Sequence, residues 1–390
     1  KYVFCDKCER LQRKNDIFVG KYILMKTIVQ QLLPTLTEQN YSDEFRNLNI
    51  DSIDLVSLRV EVENKLGKMI PNKQWLSFNN LQDILNYCDE QGFGGSNNVV
   101  KTISEPINTK HNFINMPQLC LEALSENWLF KEAGSLHWDL LCEGLGTSSS
   151  ALKDDLGNRL YATFVRIRIE GNGNLSDFKE NNPYDFKAEL SRFGMGMFFS
   201  NTQFSSVDKN IKIDMMTSFS VRKSTGDNKS LAKSQPTVEH CDIKQHAEFP
   251  VFGNEYRLIK KNELKTFFYK DYIFHISDEQ LYSFEYSLNP YYDLNGVGLL
   301  YFASYPIIND FCELQFFNGQ GDLKWEENYF TLFRDVMYYA NCDSRDKIIY
   351  VLNSVENLSE NRVKLCSTLV RKSDGMMMAR IFTIKQKGNF

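Results

Sequence analysis

Long apolar runs are missing from this 390-residue chain. No stretch of about 18 apolar residues occurs, so the sequence offers no helix able to span a bilayer. A basic excess is missing too. The 45 Lys and Arg residues face 50 Asp and Glu, a formal charge of -5, and no basic stripe is available to neutralise nucleic-acid phosphates. Nine prolines and 21 glycines are too few for a collagen-like or disordered chain, and nine cysteines too few for a disulfide scaffold. Cys5 and Cys8 have zinc-knuckle spacing, but no second ligand pair follows, so no metal site is expected. The other cysteines (88, 120, 142, 241, 312, 342 and 366) lie irregularly in apolar contexts and read as reduced core residues of a cytoplasmic protein. Familiar nucleophile motifs are also wanting. Gly146-Thr147-Ser148-Ser149-Ser150 lacks the closing glycine of G-x-S-x-G. Histidines are five (111, 137, 240, 246 and 275), and His137, beside Trp138, reads as a packed helix residue.

What is present divides into two parts. Residues 1–24 are basic, broken by charges and open without Met, which suits a leader or upstream fragment and not a secretory signal. From Met25 to Gln91 apolar residues recur at helical spacing: Ile28, Leu32, Leu33 and Leu36, then Leu55, Leu58, Val62 and Leu66, then Leu81, Ile84 and Leu85. Asp51 or Ser52 can cap the second of these helices, and Gly67 ends it. A linker, 92–109, begins with GFGGSNN. Strand patterns then dominate, as in LYATFVRIRIEG, where Leu160, Ala162, Phe164 and Arg166 alternate with Tyr161, Thr163, Val165 and Ile167. Ser373-Asp374-Gly375 supplies a hairpin turn. Two long helical segments interrupt the strands, 116–141 and 298–317, the second apolar nearly all round and hence expected to be buried. A buried helix followed by antiparallel strands, occurring twice, predicts an α+β protein. It would have an N-terminal all-α four-helix domain (25–91), then a double hot-dog, an antiparallel sheet wrapped on two helices, in units 110–255 and 256–390.

The stretch LNIDSIDLVSLRVEVENKLG (48–67) resembles the acyl carrier protein family, with Asp51-Ser52-Ile53 at the position of that family's Asp-Ser-Leu motif. The resemblance implies 4′-phosphopantetheine on Ser52, attached by a phosphopantetheinyl transferase. A serine at an exposed helix start is accessible to such an enzyme. Residues 25–91 carry ten acidic against six basic residues, a net of -4. Acidic Asp54, Glu61 and Glu63 then suit docking on basic surfaces.

Three later stretches resemble the leinamycin-pathway bifunctional acyltransferase/decarboxylase family (LnmK-like): Gly157 to Phe164, Ser218-Phe219-Ser220-Val221-Arg222 with Ser230 to Pro236, and Asp293 to Tyr305. The resemblance covers roughly 110–390 and implies a double hot-dog enzyme of polyketide biosynthesis. Such an enzyme decarboxylates methylmalonyl-CoA and passes propionyl to a carrier, either its own domain or a partner's. Tyr161 stands at that family's active-site tyrosine. Decarboxylation leaves an enolate on the thioester oxygen, which needs preorganised donors more than a nucleophile. Asn295-Gly296-Val297-Gly298, if it enters a buried helix, would supply backbone N–H groups, with the Asn295 amide as a further donor. Tyr161 is then a donor or acid, with covalent acylation open, since a protonated phenol is a poor nucleophile. Ser304 and Tyr305 are further candidates, and Lys233 and Arg222 could meet CoA phosphates. The expected partners are an acyl-CoA substrate, the transferase and polyketide synthase components, with neither nucleic acid nor membrane. A hot-dog thioesterase or dehydratase, or a non-catalytic carrier with a docking module, are the alternatives. The His-x3-Gly-x4-Pro pattern of a hot-dog dehydratase is absent.

Overall fold

The computed structural model describes residues 26–91, 107–224, 226–239 and 241–388. Cys5, Cys8, His240, the leader and most of the linker lie outside the described residues. The N-terminal part is helical over 26–32, then forms α1 (Ser52–Leu66), a short helix Asn72–Trp75, and α2 (Leu81–Gln91). Leu58, Val62 and Leu66 of α1 close a small core with Ile28, Leu33, Ile84, Leu85 and Cys88. These are three of the four residues of the predicted stripe, and Leu55 is half-buried outside this core. A second stripe on α1, Ile53, Val56 and Val60, belongs to another cluster, described below.

The body is built from two matching sets of five long strands. In the first set are β1 (Ile107–Phe113), β2 (Tyr161–Gly171), β3 (Pro183–Phe193), β4 (Met197–Ser206) and β5 (Lys209–Arg222). The second set comprises β6 (Tyr282–Ser287), β7 (Tyr329–Tyr338), β8 (Lys347–Ser359), β9 (Arg362–Arg371) and β10 (Met377–Lys387). Their order across one continuous sheet is β1-β3-β4-β5-β2-β7-β10-β9-β8-β6, so each set runs 1-3-4-5-2 and the second mirrors the first. Between the first and second strands of each set comes a long helix, α3 (Glu126–Gly144) or α5 (Ser304–Gly319). Both helices contribute to one large core beneath the sheet. Each sheet half wraps a helix, as the repeated pattern predicts, and the architecture is α+β with a double hot-dog body. The first strand begins inside the range expected for the linker.

Four local expectations are corrected. Helix α3 starts at Glu126, not 116, because Leu121 (φ 51°) and Glu122 (φ 62°) turn a short two-stranded hairpin back before Ser125 caps the helix through Trp128 N–H. Helix α5 starts at Ser304, not 298: Asn295 and Gly298 (φ 77°) form a tight turn ahead of it. Nor is α5 buried all round, since Ile307 and Phe311 are exposed at 43% and 44%. In β2 a bulge at Val165 breaks the alternation, where Phe164 pairs with Thr217 and Arg166 with the next residue, Met216. One extra residue flips every later side chain to the other face. Ile167 and Ile169 therefore join Phe164 on the helix side, while Arg166 joins Val165 on the outer face.

On that outer face lies α4 (Val251–Lys260), across the expected boundary at 255/256. It is fastened by a buried ion cluster. Arg166 reaches both oxygens of Asp335 (2.9 and 2.7 Å) and the Phe252 carbonyl (2.6 Å). Arg168 bridges Asp335 (2.8 Å) and Glu255 (3.0 Å).

Candidate functional site

The carrier-like domain sits on the outer face of the first sheet half. Ile53, Val56 and Val60 pack with Phe193, Met197, Phe199 and Met216 of β3 to β5 and with Tyr256 and Ile259 of α4. The turn between β3 and β4 passes so close that a Cβ on Gly194 would stand 2.2 Å from the Val60 side chain, and one on Gly196 2.6 Å from Val56. Around this apolar seat, Asp51 meets Lys260 (3.1 Å) and Asp54 meets Lys261 (2.6 Å) and Arg257 (3.8 Å). Asn72 donates its backbone N–H to the Asp155 carboxylate (2.7 Å) and its side-chain amide to the Gln235 carbonyl (3.2 Å). The acidic helix expected to dock on a basic surface finds one in its own chain. Glu63 is not part of it, being paired with Arg59 (2.9 Å) inside the domain.

Asp51, not Ser52, caps α1. Its carboxylate accepts from Ile53 N–H (2.7 Å) and Asp54 N–H (2.9 Å), and Asp54 returns a bond to Asp51 N–H (2.9 Å). The Ser52 hydroxyl is thereby left exposed, with no hydrogen bond among the described residues. Burial raises the Asp51 carboxyl, but Lys260 and the helix N–H groups outweigh it and hold the group below its ordinary range.

Ser52 opens onto a cavity of about 620 Å³. The last pair joining the two sheet halves at this end is Arg166↔Met337. Beyond it β2 and the chain after β7 part, and residues 159–165 and 338–341 line the gap. Tyr161, Thr163, Ser220, Lys233, Asn295, Gly296 and Val297 share the lining, with Trp138, Phe164 and Phe302 as its apolar wall. Stretches that are remote in sequence thus meet. Lys233 pairs with Ser220, and Ser220 with Tyr161, in adjacent strands.

Arg222 ties these parts together. It donates to the Tyr161 hydroxyl (3.1 Å), to Asn228 (3.0 and 2.9 Å) and to the Val297 carbonyl, and its guanidinium lies 4.9 Å from the Tyr161 ring centre. The Asn295 side-chain oxygen accepts from Val297 N–H (3.1 Å) and Leu299 N–H (3.0 Å). Gly298 N–H is used as well, on the Asn295 carbonyl (2.9 Å). The expected row of free N–H groups at a helix start is therefore not there: Asn295 consumes them, and the helix begins later. Fixing the oxygen also fixes the Asn295 NH2 group, which has no partner among the described residues and belongs to a cavity-lining residue.

Ser304 does not join this group. It is buried, and its hydroxyl donates to the Tyr292 carbonyl (3.3 Å). Tyr305 lines the cavity, but its hydroxyl is committed to the Ala340 carbonyl (2.9 Å). His137 is a core residue, its two nitrogens on Ser200 and Thr217 (2.8 Å each), and burial pushes it down to about 3. The hydroxyl partners of Lys233, Thr163, Ser218 and Ser220, lie on two other strands and carry no signal in its local sequence.

The carrier seat is testable apart from chemistry. Gly194→Ala would press a methyl group into Val60 at a φ of +59° that non-glycine residues rarely adopt. Amide exchange in α1 should rise at least several-fold while the body's core strands keep their protection. Unchanged exchange in α1 would refute the packed seat.

Residues 24–88 match the family described as a phosphopantetheine attachment site. An acyl carrier protein homolog of Ureaplasma parvum serovar 3 is 30% identical over 70 residues, covering 18% of this chain and 90% of that protein. Among solved structures, a 12:0-ACP thioesterase from Umbellularia californica covers 72% of this chain and 94% of its own, with TM-score 0.47 and 9% identity. An acyl-ACP thioesterase from Bacteroides thetaiotaomicron VPI-5482 covers 72% and 98%, with TM-score 0.44 and 12% identity. The strand order above, not these distant likenesses, defines the body's fold. A 4′-phosphopantetheine-bearing serine is part of the matched domain, and the free hydroxyl and adjoining cavity at Ser52 fit such a group. Among the described residues no helix is long and apolar enough to cross a membrane.

Proposed function

We propose, because its residues 24–88 make this chain a member of the acyl carrier protein family, that carrier and body together form an acyl-loading unit. The body decarboxylates a malonyl-type CoA thioester, with methylmalonyl-CoA as the expected substrate; a proton replaces CO2 on the α carbon, and propionyl passes to the carrier thiol of the same chain with CoA thiol as the leaving group. Ser52 is the attachment serine, modified by a phosphopantetheinyl transferase, and polyketide synthase components receive the loaded acyl group. The observation that carries this reading is the shared cavity: Ser52 lines it together with Tyr161 and Asn295.

When bound, the phosphopantetheine supplies a thiol that holds the acyl group as a thioester. The body's residues handle the substrate. Departure of CO2 moves negative charge onto the thioester oxygen, and a donor already aimed at that point needs no reorganisation. Asn295 is such a donor, since its amide is locked by Val297 and Leu299 N–H. Arg222 donates to the Tyr161 oxygen and leaves the phenolic hydrogen for a substrate atom. Holding Val297 with the same guanidinium keeps Tyr161 and Asn295 in one frame. The apolar wall of Trp138, Phe164 and Phe302 lowers the local dielectric, which strengthens both hydrogen bonds.

Incubating the phosphopantetheinylated protein with methylmalonyl-CoA should place propionyl on Ser52, read by intact mass and peptide mapping. Methylmalonyl retained, or no acyl group at all, would defeat the decarboxylating transfer. Free acid released from a loaded carrier would instead favour a thioesterase. In the same assay Tyr161→Phe should slow loading about 10-fold or more, since it removes one donor at the reacting centre. Loading at the wild-type rate would take Tyr161 out of the site.

A further inference from the structure

Lys233 is a cation without an anion. It stands in the short strand Leu231–Lys233, opposite Ser220 of β5, and lines the cavity. Its amine donates to Thr163 (3.2 Å), Ser218 and Ser220 (3.4 Å), all neutral hydroxyls. Among the described residues no carboxylate lies within ion-pair distance of it. Lys233 is half-buried, and the packed cations elsewhere in the body are answered: Arg166 and half-buried Arg168 by Asp335, Arg334 by Glu126 and Asp310, Lys385 by Asp310 and Glu313. Burial, and then the charge of Lys260, bring Lys233 down to about 7, while Asp51 pulls it upward. Both of those neighbours belong to the carrier seat, where Lys260 holds Asp51 at 3.1 Å. Of the other titratable groups, Tyr161 pairs with Ser220 on the next strand, Arg222 lies two residues along β5 from Ser220, and Tyr256 of α4 and Tyr339 share the cavity lining.

An uncompensated cation in a desolvated site is costly unless a ligand supplies its counter-charge. Here two lysines face one carboxylate, Asp51, which leaves one positive charge over. The residue after Asp51 is Ser52, the first residue of α1, where the helix end also favours a negative group. We propose that Lys233 and Lys260 form the seat of the phosphodiester that modification places on Ser52. A phosphodiester carries one negative charge, which balances this end of the cavity. Modification then adds to the docking already made by the apolar seat and its ion pairs: the unmodified carrier leaves Lys233 without a counter-charge, and the modified one supplies it. This rests on Ser52 as the attachment serine but not on decarboxylation.

The test compares apo and phosphopantetheinylated full-length protein with isotope-labelled lysine, Lys233→Met identifying the Lys233 side-chain NMR signal. The Lys233 titration midpoint should rise by at least about one pH unit on modification, a tenfold gain in proton affinity. The phosphorus resonance of the modified protein should titrate with Lys233 and lose that inflection in Lys233→Met. Lys260→Met should reduce the rise. An equal midpoint in both forms, or a phosphorus signal indifferent to both substitutions, overturns the proposal. A third arm adds free CoA to the apo protein. A rise there as large as on modification would assign the seat to soluble CoA phosphates and overturn the assignment to Ser52. Intact mass reports separately whether Ser52 was modified, so failure of the attachment reading is distinguishable from failure of the seat.

Discussion

Asn295→Asp should lower kcat for decarboxylation by roughly 10²–10³-fold with KM little changed. The substitution is chosen for what it preserves. Aspartate retains an oxygen for Val297 and Leu299 N–H, so the turn keeps its two anchors. What changes is the other end of the side chain: an NH2 donor becomes a second carboxylate oxygen, in the cavity where the proposed decarboxylation would develop negative charge. Ground-state binding of the thioester does not depend strongly on that donor, whereas the transition state does, so the loss belongs in kcat. Asn295→Ala is a weaker experiment, because it also frees the two backbone N–H groups and should raise KM by loosening the turn. CO2 release from methylmalonyl-CoA at several substrate concentrations measures both constants. A kcat within a few-fold of wild type for Asn295→Asp would remove Asn295 from the reaction.

The largest expected loss of stability comes from Asp335→Ala, about 3–5 kcal/mol in urea unfolding. Asp335 is fully buried and receives three bonds from two arginines, at 2.9, 2.7 and 2.8 Å. Removing it leaves Arg166 in the interior with no carboxylate but the more distant Glu255 (3.0 Å). The damage should not stop there. Arg166 and Arg168 also hold Phe252 and Glu255, the first turns of α4, and α4 carries Lys260 and the approach to Lys261. Amide exchange in α1 should therefore rise in Asp335→Ala as it does in Gly194→Ala, although the substitution is far from the carrier in sequence. The pH dependence has a definite sign. Burial alone would raise the Asp335 carboxyl, but Arg166 and Arg168 hold it below its ordinary value. Its contribution is complete above about pH 4, near the unfolded aspartate value, and is lost as pH falls from there through the lowered folded value. Wild type should lose stability on acidification over that range, and Asp335→Ala should lose less. Parallel curves for the two proteins would contradict the assignment.

Much of the fold was legible because it is written at short range. Helical spacing at Leu58, Val62 and Leu66 marks the carrier's own core, and the Asp51-Ser52 pair marks the start of α1. Long alternating segments separated by Ser373-Asp374-Gly375 give strands β9 and β10. Two long helical segments among strands are enough to predict two wrapped helices. Two of the errors were of one kind. At Val165 a single extra residue exchanged the faces of β2, and before α5 the Asn295 side chain took the N–H groups that a continuing helix would have used. Both turn on partners that a periodicity cannot contain.

For the site the division is sharper. The sequence by itself determined the carrier, the Asp51-Ser52 start of its α1 and the strands on which Tyr161 and Arg222 lie, but not the short strand that holds Lys233. It also determined that α1 is acidic, since charge is a property of composition. Only the tertiary structure decided that those acids would be answered by Arg257, Lys260 and Lys261 of the same chain. Only it decided that Ser52 would face the gap where the two sheet halves separate. Lys233 shows why. A lysine in a polar stretch is by local rules a solvated side chain, and its environment is set by hydroxyls from β2 and β5 and by charges from α1 and α4. Periodicity reports which face of an element is apolar. Which polar groups meet, and how much water is left between them, depends on packing between separate elements, for Lys233 from 13 to 70 residues away for its hydroxyls and further still for α1.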